Sequence, residues 1–199
     1  APVNLRGRMK ALIERETANA QAGKPAHIIA KINRLTDLDT IELLYKASQA
    51  GVKIDLIVRG ACMLRPGVPG LSQTIHVRSV VGRFLEHSRI FYFLNDGEEE
   101  VFIGSADWMT RNLDRRVEVI APVLAPHLKK YLKDTVLTAY LRDNVKARVM
   151  NSEGLYEMPP MAIGEEPFNS QMHFEGVNSS PSASVHSIKR RRMWAKELP

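Results

Sequence analysis

The sequence predicts an α/β fold: a mixed, mostly central β-sheet flanked by helices. Three observations predict it. A strand–helix–strand unit over residues 26–60 needs a crossover, which makes its two strands parallel. Three more β-like runs lie between residues 74 and 104, two of them joined by Asn95-Asp96-Gly97, a turn that sets neighbours antiparallel. Helical periodicity precedes and follows these strands, at residues 5–21 and from Pro126 to Arg142.

The elements follow in order. Over residues 5–21, Leu5, Met9, Leu12, Ile13 and Thr17 share a face, while Arg6, Lys10, Glu14 and Arg15 point away. Gly23 and Pro25 stop this helix. Ala26 to Ile32 is apolar and β-branched, hence a buried strand. Thr36, Asp37 and Asp39 offer N-caps for a helix that buries Ile41, Leu44, Tyr45 and Ala47 and ends at Gly51. In residues 52–60, Val52, Ile54, Leu56 and Val58 alternate with Lys53, Asp55 and Ile57 as a strand. Pro66, Gly67, Pro69 and Gly70 make 63–73 a loop. Strands are expected at Thr74 to Val81, His87 to Leu94, Glu100 to Gly104 and Val117 to Val123. Pro126 opens a helix that buries Leu128, Leu132, Thr135 and Leu141 and turns Lys129, Lys130 and Lys133 outward. Val145 to Met150 and Leu155 to Met158 form a small hairpin. We therefore expect a main domain over residues 1–143, a hairpin extension of it over 144–173, and a flexible basic tail over 174–199 that includes Lys189 to Arg192.

Composition narrows the function. At 199 residues with 44% hydrophobic content, the chain can bury one sizeable core. A net charge of +6 favours an anionic partner. The single cysteine, Cys62, rules out an intramolecular disulfide framework, fits a reducing cytoplasm and reads as core filler. No run approaches the roughly 18 apolar residues of a membrane span, and the N-terminus lacks a signal-peptide layout. The chain starts at Ala1, which we read as a fragment of something longer.

Candidate chemistry gathers between Gly82 and Asp107. His87 stands beside Glu86 and Arg89, with Arg83 upstream, so a carboxylate can orient it while cations hold a phosphate. The plain alternative is a core histidine satisfied by backbone, which we adopt for His27, His76, His127, His173 and His186. Arg59 follows a strand and meets Gly60, where open α/β sheets bind ligands. Gly104-Ser105-Ala106-Asp107 ends a strand with small residues. There Ser105 can donate to a phosphate oxygen and Asp107 can hold His87 or a basic side chain; a simple turn or cap is the alternative. The run Arg111 to Arg116 reads as a solvated charged face, with Asp114 paired to an arginine. No zinc-protease, P-loop or nucleophile-elbow motif is present.

Three stretches, LYKASQAGVKIDLIVRGACMLRPGVPGLS, GRFLEHSRI and GSADWMTRNLDRRVEV, resemble in order and spacing the last domain of bacterial polyphosphate kinase. The resemblance runs from about Leu5 to about Met172. That family's two C-terminal domains are similar to the halves of phospholipase D, whose signature is H-x-K, a later Asp, then G-S-x-N. Here His87-Ser88-Arg89 and Gly104 to Asp107 occupy those places, with Arg89 for Lys and Asp107 for Asn, and the intermediate Asp has no counterpart. These departures count against diester hydrolysis.

The resemblance implies reversible transfer of the γ-phosphate between ATP/ADP and polyphosphate, through a phosphohistidine on the preceding domain. It also implies Mg²⁺ held mainly by that domain, contact with the remaining domains of the same enzyme, and a homo-oligomer at full length. Nucleic acid is not expected as a partner. The implied setting is the bacterial cytoplasm, with peripheral membrane attachment of the full-length enzyme left open. By the same resemblance, His87 and Arg59 stand beside the nucleotide's phosphates, and His87 is a proton donor or second phosphate-binding group. Arg89, Ser105 and Asp107 join them by the phospholipase D pattern, and the fragment alone is expected to be inactive. The alternatives are a phosphodiesterase half and a non-enzymatic polyanion-binding module using the Lys129 to Lys133 face and the basic tail.

Overall fold

A computed structural model describes residues 3–179. Its elements are α1 (Leu5–Gln21), β1 (His27–Ile32), α2 (Leu38–Gln49), β2 (Lys53–Val58), β3 (Ile75–Val80), β4 (Arg89–Phe93), β5 (Glu100–Gly104), α3 (Thr110–Asp114), β6 (Ile120–Pro122), α4 (Pro126–Lys130), α5 (Thr138–Arg142), β7 (Ala147–Met150), β8 (Tyr156–Glu157) and α6 (Ser170–Ser179). The eight strands form one sheet in the order β6-β5-β4-β1-β2-β3-β7-β8. β1, β2 and β3 are parallel, and β4 and β7 flank them antiparallel. The mixed sheet between helices is therefore as the sequence predicts.

Two apolar layers cover the sheet. On one face Ile28, Ala30, Ile54 and Leu56 pack with Met9, Leu12 and Ile13 of α1 and Ile41, Leu44 and Ala47 of α2. On the other, Ile29, Ile57, Ile90 and Tyr92 pack with Leu137 and Tyr140. This double cover alters the expected alternation of β2: Asp55 and Ile57 are buried along with Ile54, Leu56 and Val58. A central parallel strand has no solvent face.

Local chemistry fixes the ends. Asp37 caps α2, its carboxylate accepting the Thr40 N–H at 3.1 Å. At the β4–β5 turn Asn95, Asp96 and Gly97 all take positive φ, a conformation these residue types tolerate best. Asn95 donates its N–H to Glu16 at 2.7 Å, and His27 N–H donates to the other oxygen at 3.1 Å. Glu16, not Thr17, thus completes the buried face of α1, and burial pushes its carboxyl up.

Other elements depart from expectation. The helix from Pro126 is interrupted by π-helical turns over Tyr131–Leu137, which shift the inward phase. Leu137, Ala139 and Tyr140 are buried, whereas Leu128 is exposed. The strand expected from Val117 shrinks to β6, and Val117 and Val119 face solvent. Helix α6 runs through Phe174 to Ser179, inside the stretch read as a flexible tail, because Phe174 packs on the Tyr140 ring at 5.5 Å. The Lys189 to Arg192 run lies outside the described residues.

Candidate phosphate-binding site

The topology brings four chain segments to one end of the sheet. β1 and β2 run parallel and finish there. β4 is antiparallel to β1 and so begins there, and β5, antiparallel to β4, finishes there again. The segments that follow β1, β2 and β5 are stitched together by Leu35, which bridges both Cys62 and Trp108. Arg59, His87, Arg89, Ser105 and Asp107, scattered over 49 positions (107 − 59 + 1) of sequence, line one cavity of about 190 Å³ as a result.

Asp107 is 5% exposed and is the centre of the network. It accepts the Asn33 backbone N–H at 2.7 Å and the Arg89 guanidinium at 3.1 and 3.2 Å. Asp107 therefore holds a basic side chain rather than His87. Asn33 in turn accepts Arg59 Nε at 2.8 Å. Arg89 Nη1 donates to the His87 carbonyl at 2.9 Å and to His87 Nδ1 at 3.0 Å. An arginine has no acceptor, so Nδ1 must be unprotonated in this contact and the neutral ring carries its proton on Nε2.

Two expected partners of His87 are elsewhere. Glu86 turns away to Tyr140, Gln171 and Lys31, and Arg83 lies over the Phe84 ring. Ser105 lines the cavity, yet its hydroxyl donates to Glu118 and accepts the Val119 N–H at 3.2 Å. That bond puts Ser105 in an internal role, holding β5 to the chain that returns as β6. Gly104 allows the approach: a Cβ there would lie 2.4 Å from the Val119 carbonyl oxygen.

The cavity also recruits Asn33, Arg34, Arg111, Asn112, Arg116 and Glu118. Asn33 and Arg34 follow β1 as Arg59 follows β2, so the strand-end rule that singles out Arg59 applies to them equally. Arg111 and Arg116 lie in the run read as a solvated face. Within that run Asp114 does pair with an arginine, Arg6 of α1, at 2.6 and 2.7 Å. Five arginines meet two carboxylates around the cavity, and both carboxylates are engaged: Asp107 by Arg89 and Asn33, Glu118 by Ser105 and Asn112. Arg34, Arg111 and Arg116 make no side-chain hydrogen bond or ion pair among the described residues. Such a surplus of planar donors suits a multiply charged oxyanion.

His27, His76, His127 and His173 do not line the cavity, and His186 lies outside the described residues. His27 bonds Asp55 at 2.8 Å, and His76 flanks the same carboxylate at 3.6 Å. Cys62 is half-buried, and burial pushes its thiol up to about 11, which fits filler rather than a nucleophile. No group of three His, Cys, Asp or Glu side chains that could hold a metal ion occurs among the described residues, and with Asp107 and Glu118 committed the cavity does not fit a Mg²⁺ site.

A family model described as polyphosphate kinase C-terminal domain 2 matches residues 1–171. The chain belongs to that family. Every residue that lines the cavity falls inside the matched span. The chain is 53% identical over 171 residues to polyphosphate kinase of Pseudomonas aeruginosa, covering 86% of this chain and 25% of that protein. With polyphosphate kinase of Pseudomonas putida the identity is 57% over 185 residues, covering 93% and 25%. The crystal structure of polyphosphate kinase from Porphyromonas gingivalis superposes with a TM-score of 0.81 at 44% identity, over 87% of this chain and 27% of that one. The chain thus spans about a quarter of the length of these relatives. Among its described residues no helix is long and apolar enough to cross a membrane.

Proposed function

We propose that this chain supplies the nucleotide-phosphate subsite of a polyphosphate kinase, an enzyme that moves the γ-phosphoryl group of ATP reversibly onto a polyphosphate end. The observation that carries this reading is the surplus of unpaired guanidinium donors around one small polar cavity. Phosphoryl transfer passes through a loose transition state in which charge spreads over the phosphoryl oxygens, so catalysis is mainly positioning and charge stabilisation. Arg59, Arg34, Arg111 and Arg116 neutralise that charge. His87, with Nδ1 accepting from Arg89, offers Nε2–H to an oxygen of the departing diphosphate. The phosphoryl acceptor is a histidine on the preceding domain. Asp107 orders Arg89, and Ser105 orders the β5 end. Mg²⁺ would be held by parts of the enzyme beyond these residues and would supply further neutralisation of phosphate charge.

The lysine face offers no comparable surplus. Lys133 pairs with Glu99 at 2.5 Å, Lys130 with Asp134 at 2.6 Å, and Lys129 donates to the Glu99 carbonyl at 2.9 Å. A polyanion-binding module built on that face is therefore the weaker reading.

The test is kinetic. In the full-length polypeptide, His87→Ala and Arg59→Ala should each reduce turnover about a hundredfold, and the 199-residue chain alone should not make polyphosphate from ATP. Near-normal turnover in either variant would remove that residue from the site.

A further inference from the structure

His87 belongs to an irregular stretch, residues 82–88, between β3 and β4. Arg83, Phe84, Leu85, His87 and Ser88 are all exposed there. An exposed, irregular segment is a poor place for a group that must meet a phosphate at a fixed distance, unless something outside it supplies the rigidity.

Gln171, at the start of α6 and 5% exposed, supplies one anchor. Its Oε1 accepts the Phe84 N–H at 2.9 Å, and its Nε2 donates to the Phe84 carbonyl at 2.8 Å and to Glu86 Oε1 at 3.1 Å. One side-chain amide thus occupies both backbone groups of Phe84, as a neighbouring strand would. Gly82 makes room for it: a Cβ there would lie 2.3 Å from Gln171 Oε1.

Lys31 of β1 supplies the second anchor. Its side chain is 6% exposed, its Nζ donates to Ser88 Oγ at 2.8 Å, lies 3.4 Å from Glu86 Oε2 and sits 4.5 Å above the Tyr140 ring. Tyr140 donates its hydroxyl to that same Glu86 oxygen. Glu86 and Ser88 both meet Lys31. The His87 ring between them meets Arg89 instead. Burial lowers the proton affinity of Lys31 and raises that of the Tyr140 hydroxyl, and Glu86 between them compensates the buried cation.

We propose that Gln171, Glu86, Lys31 and Tyr140 form a buried brace that sets the place and ring direction of His87, and that they are positioning residues for phosphoryl transfer. None of them lines the phosphate cavity. The proposal rests on the role given to His87 above.

Two readouts test it, with Gln171→Leu, Gly82→Ala and Lys31→Met as variants. Gln171→Leu removes both bonds to Phe84, Gly82→Ala pushes the intact amide away, and Lys31→Met keeps the buried volume. In the full-length polypeptide, Gln171→Leu and Gly82→Ala should lower kcat by about tenfold to a hundredfold, as a displacement near 1 Å does, with the KM for ATP changed by less than about twofold. In the 199-residue chain, ¹⁵N spectra of the His87 ring should show the Nε2–H tautomer in the parent and a tautomer mixture in all three variants. Normal kcat in Gln171→Leu and Gly82→Ala, beside an impaired His87→Ala, overturns the brace. An unchanged ring spectrum overturns it as well. If His87→Ala itself turns over normally, the transfer reading fails, while the spectra still decide whether the brace holds the ring.

Discussion

Two clusters of arginine and carboxylate lie on either side of α3, and they are built in opposite ways. In the cavity, five arginines share two carboxylates that are already engaged. At the start of α1, one arginine meets three aspartates: Arg6 makes paired contacts to Asp37 at 2.8 and 2.8 Å and to Asp114 at 2.6 and 2.7 Å, and reaches Asp39 at 3.1 Å. The first cluster leaves donors over, the second leaves none. The difference teaches that arginine count alone does not mark a binding site; the balance of donors and acceptors does. Saturated, the guanidinium ties α1, α2 and α3 together. Unsaturated, it awaits an oxyanion. Both clusters depend on α3, whose Asp114 faces Arg6 while Arg111 and Asn112 line the cavity.

That contrast can be broken from either side. Arg6→Ala should have the largest effect on folding, about 2–3 kcal/mol in denaturant titration, because it leaves Asp37 buried without its cation. Arg111→Ala should change stability by no more than about 0.5 kcal/mol and weaken the binding of tripolyphosphate or ATP instead. Equal destabilisation by the two would erase the distinction.

Acid offers a second route. The Asp37 carboxyl faces desolvation, but hydrogen bonds from Arg6, Thr40 and Thr110 outweigh it and hold it at about 2, below the ordinary 3.8. A depressed carboxyl stabilises the fold above its ordinary value, and that stability disappears as pH falls toward the folded one. About 2 kcal/mol should therefore be lost between roughly pH 4 and pH 2, measurable as a falling Tm, and Arg6→Ala should flatten the profile. A smaller effect sharpens the opposite side: Lys130→Ala, on the already paired lysine face, should leave the salt dependence of tripolyphosphate binding unchanged. A marked loss of binding there would restore the polyanion-module reading.

The sheet and its helices were legible because period-2 and period-3.6 patterns act locally. The phase of the helix after Pro126 was not: its π-helical turns shift the buried positions to Leu137 and Tyr140, and no local periodicity announces an extra residue per turn. The site was half legible. Arg59, His87, Arg89, Ser105 and Asp107 announce themselves as strand-end and motif residues. The partners of Asp107 and Glu118 depend on which loops meet, and the Arg111 to Arg116 run divides its side chains between two clusters only once α3 has been placed. Glu86 shows the limit most clearly: adjacent to His87 in sequence, it is turned to Lys31 and Gln171, partners that lie far away along the chain.

Leu35 offers a different kind of expectation. Its N–H donates to the Ala61 carbonyl at 2.9 Å, its carbonyl accepts the Met63 N–H at 2.9 Å, and it also pairs with Trp108. The loops after β1, β2 and β5 are thereby spliced at one residue. Their lengths are not independent variables. An insertion in any one would have to be absorbed by the other two, so among natural variants and in engineered libraries these loops should accept substitutions of surface side chains far more readily than changes in length.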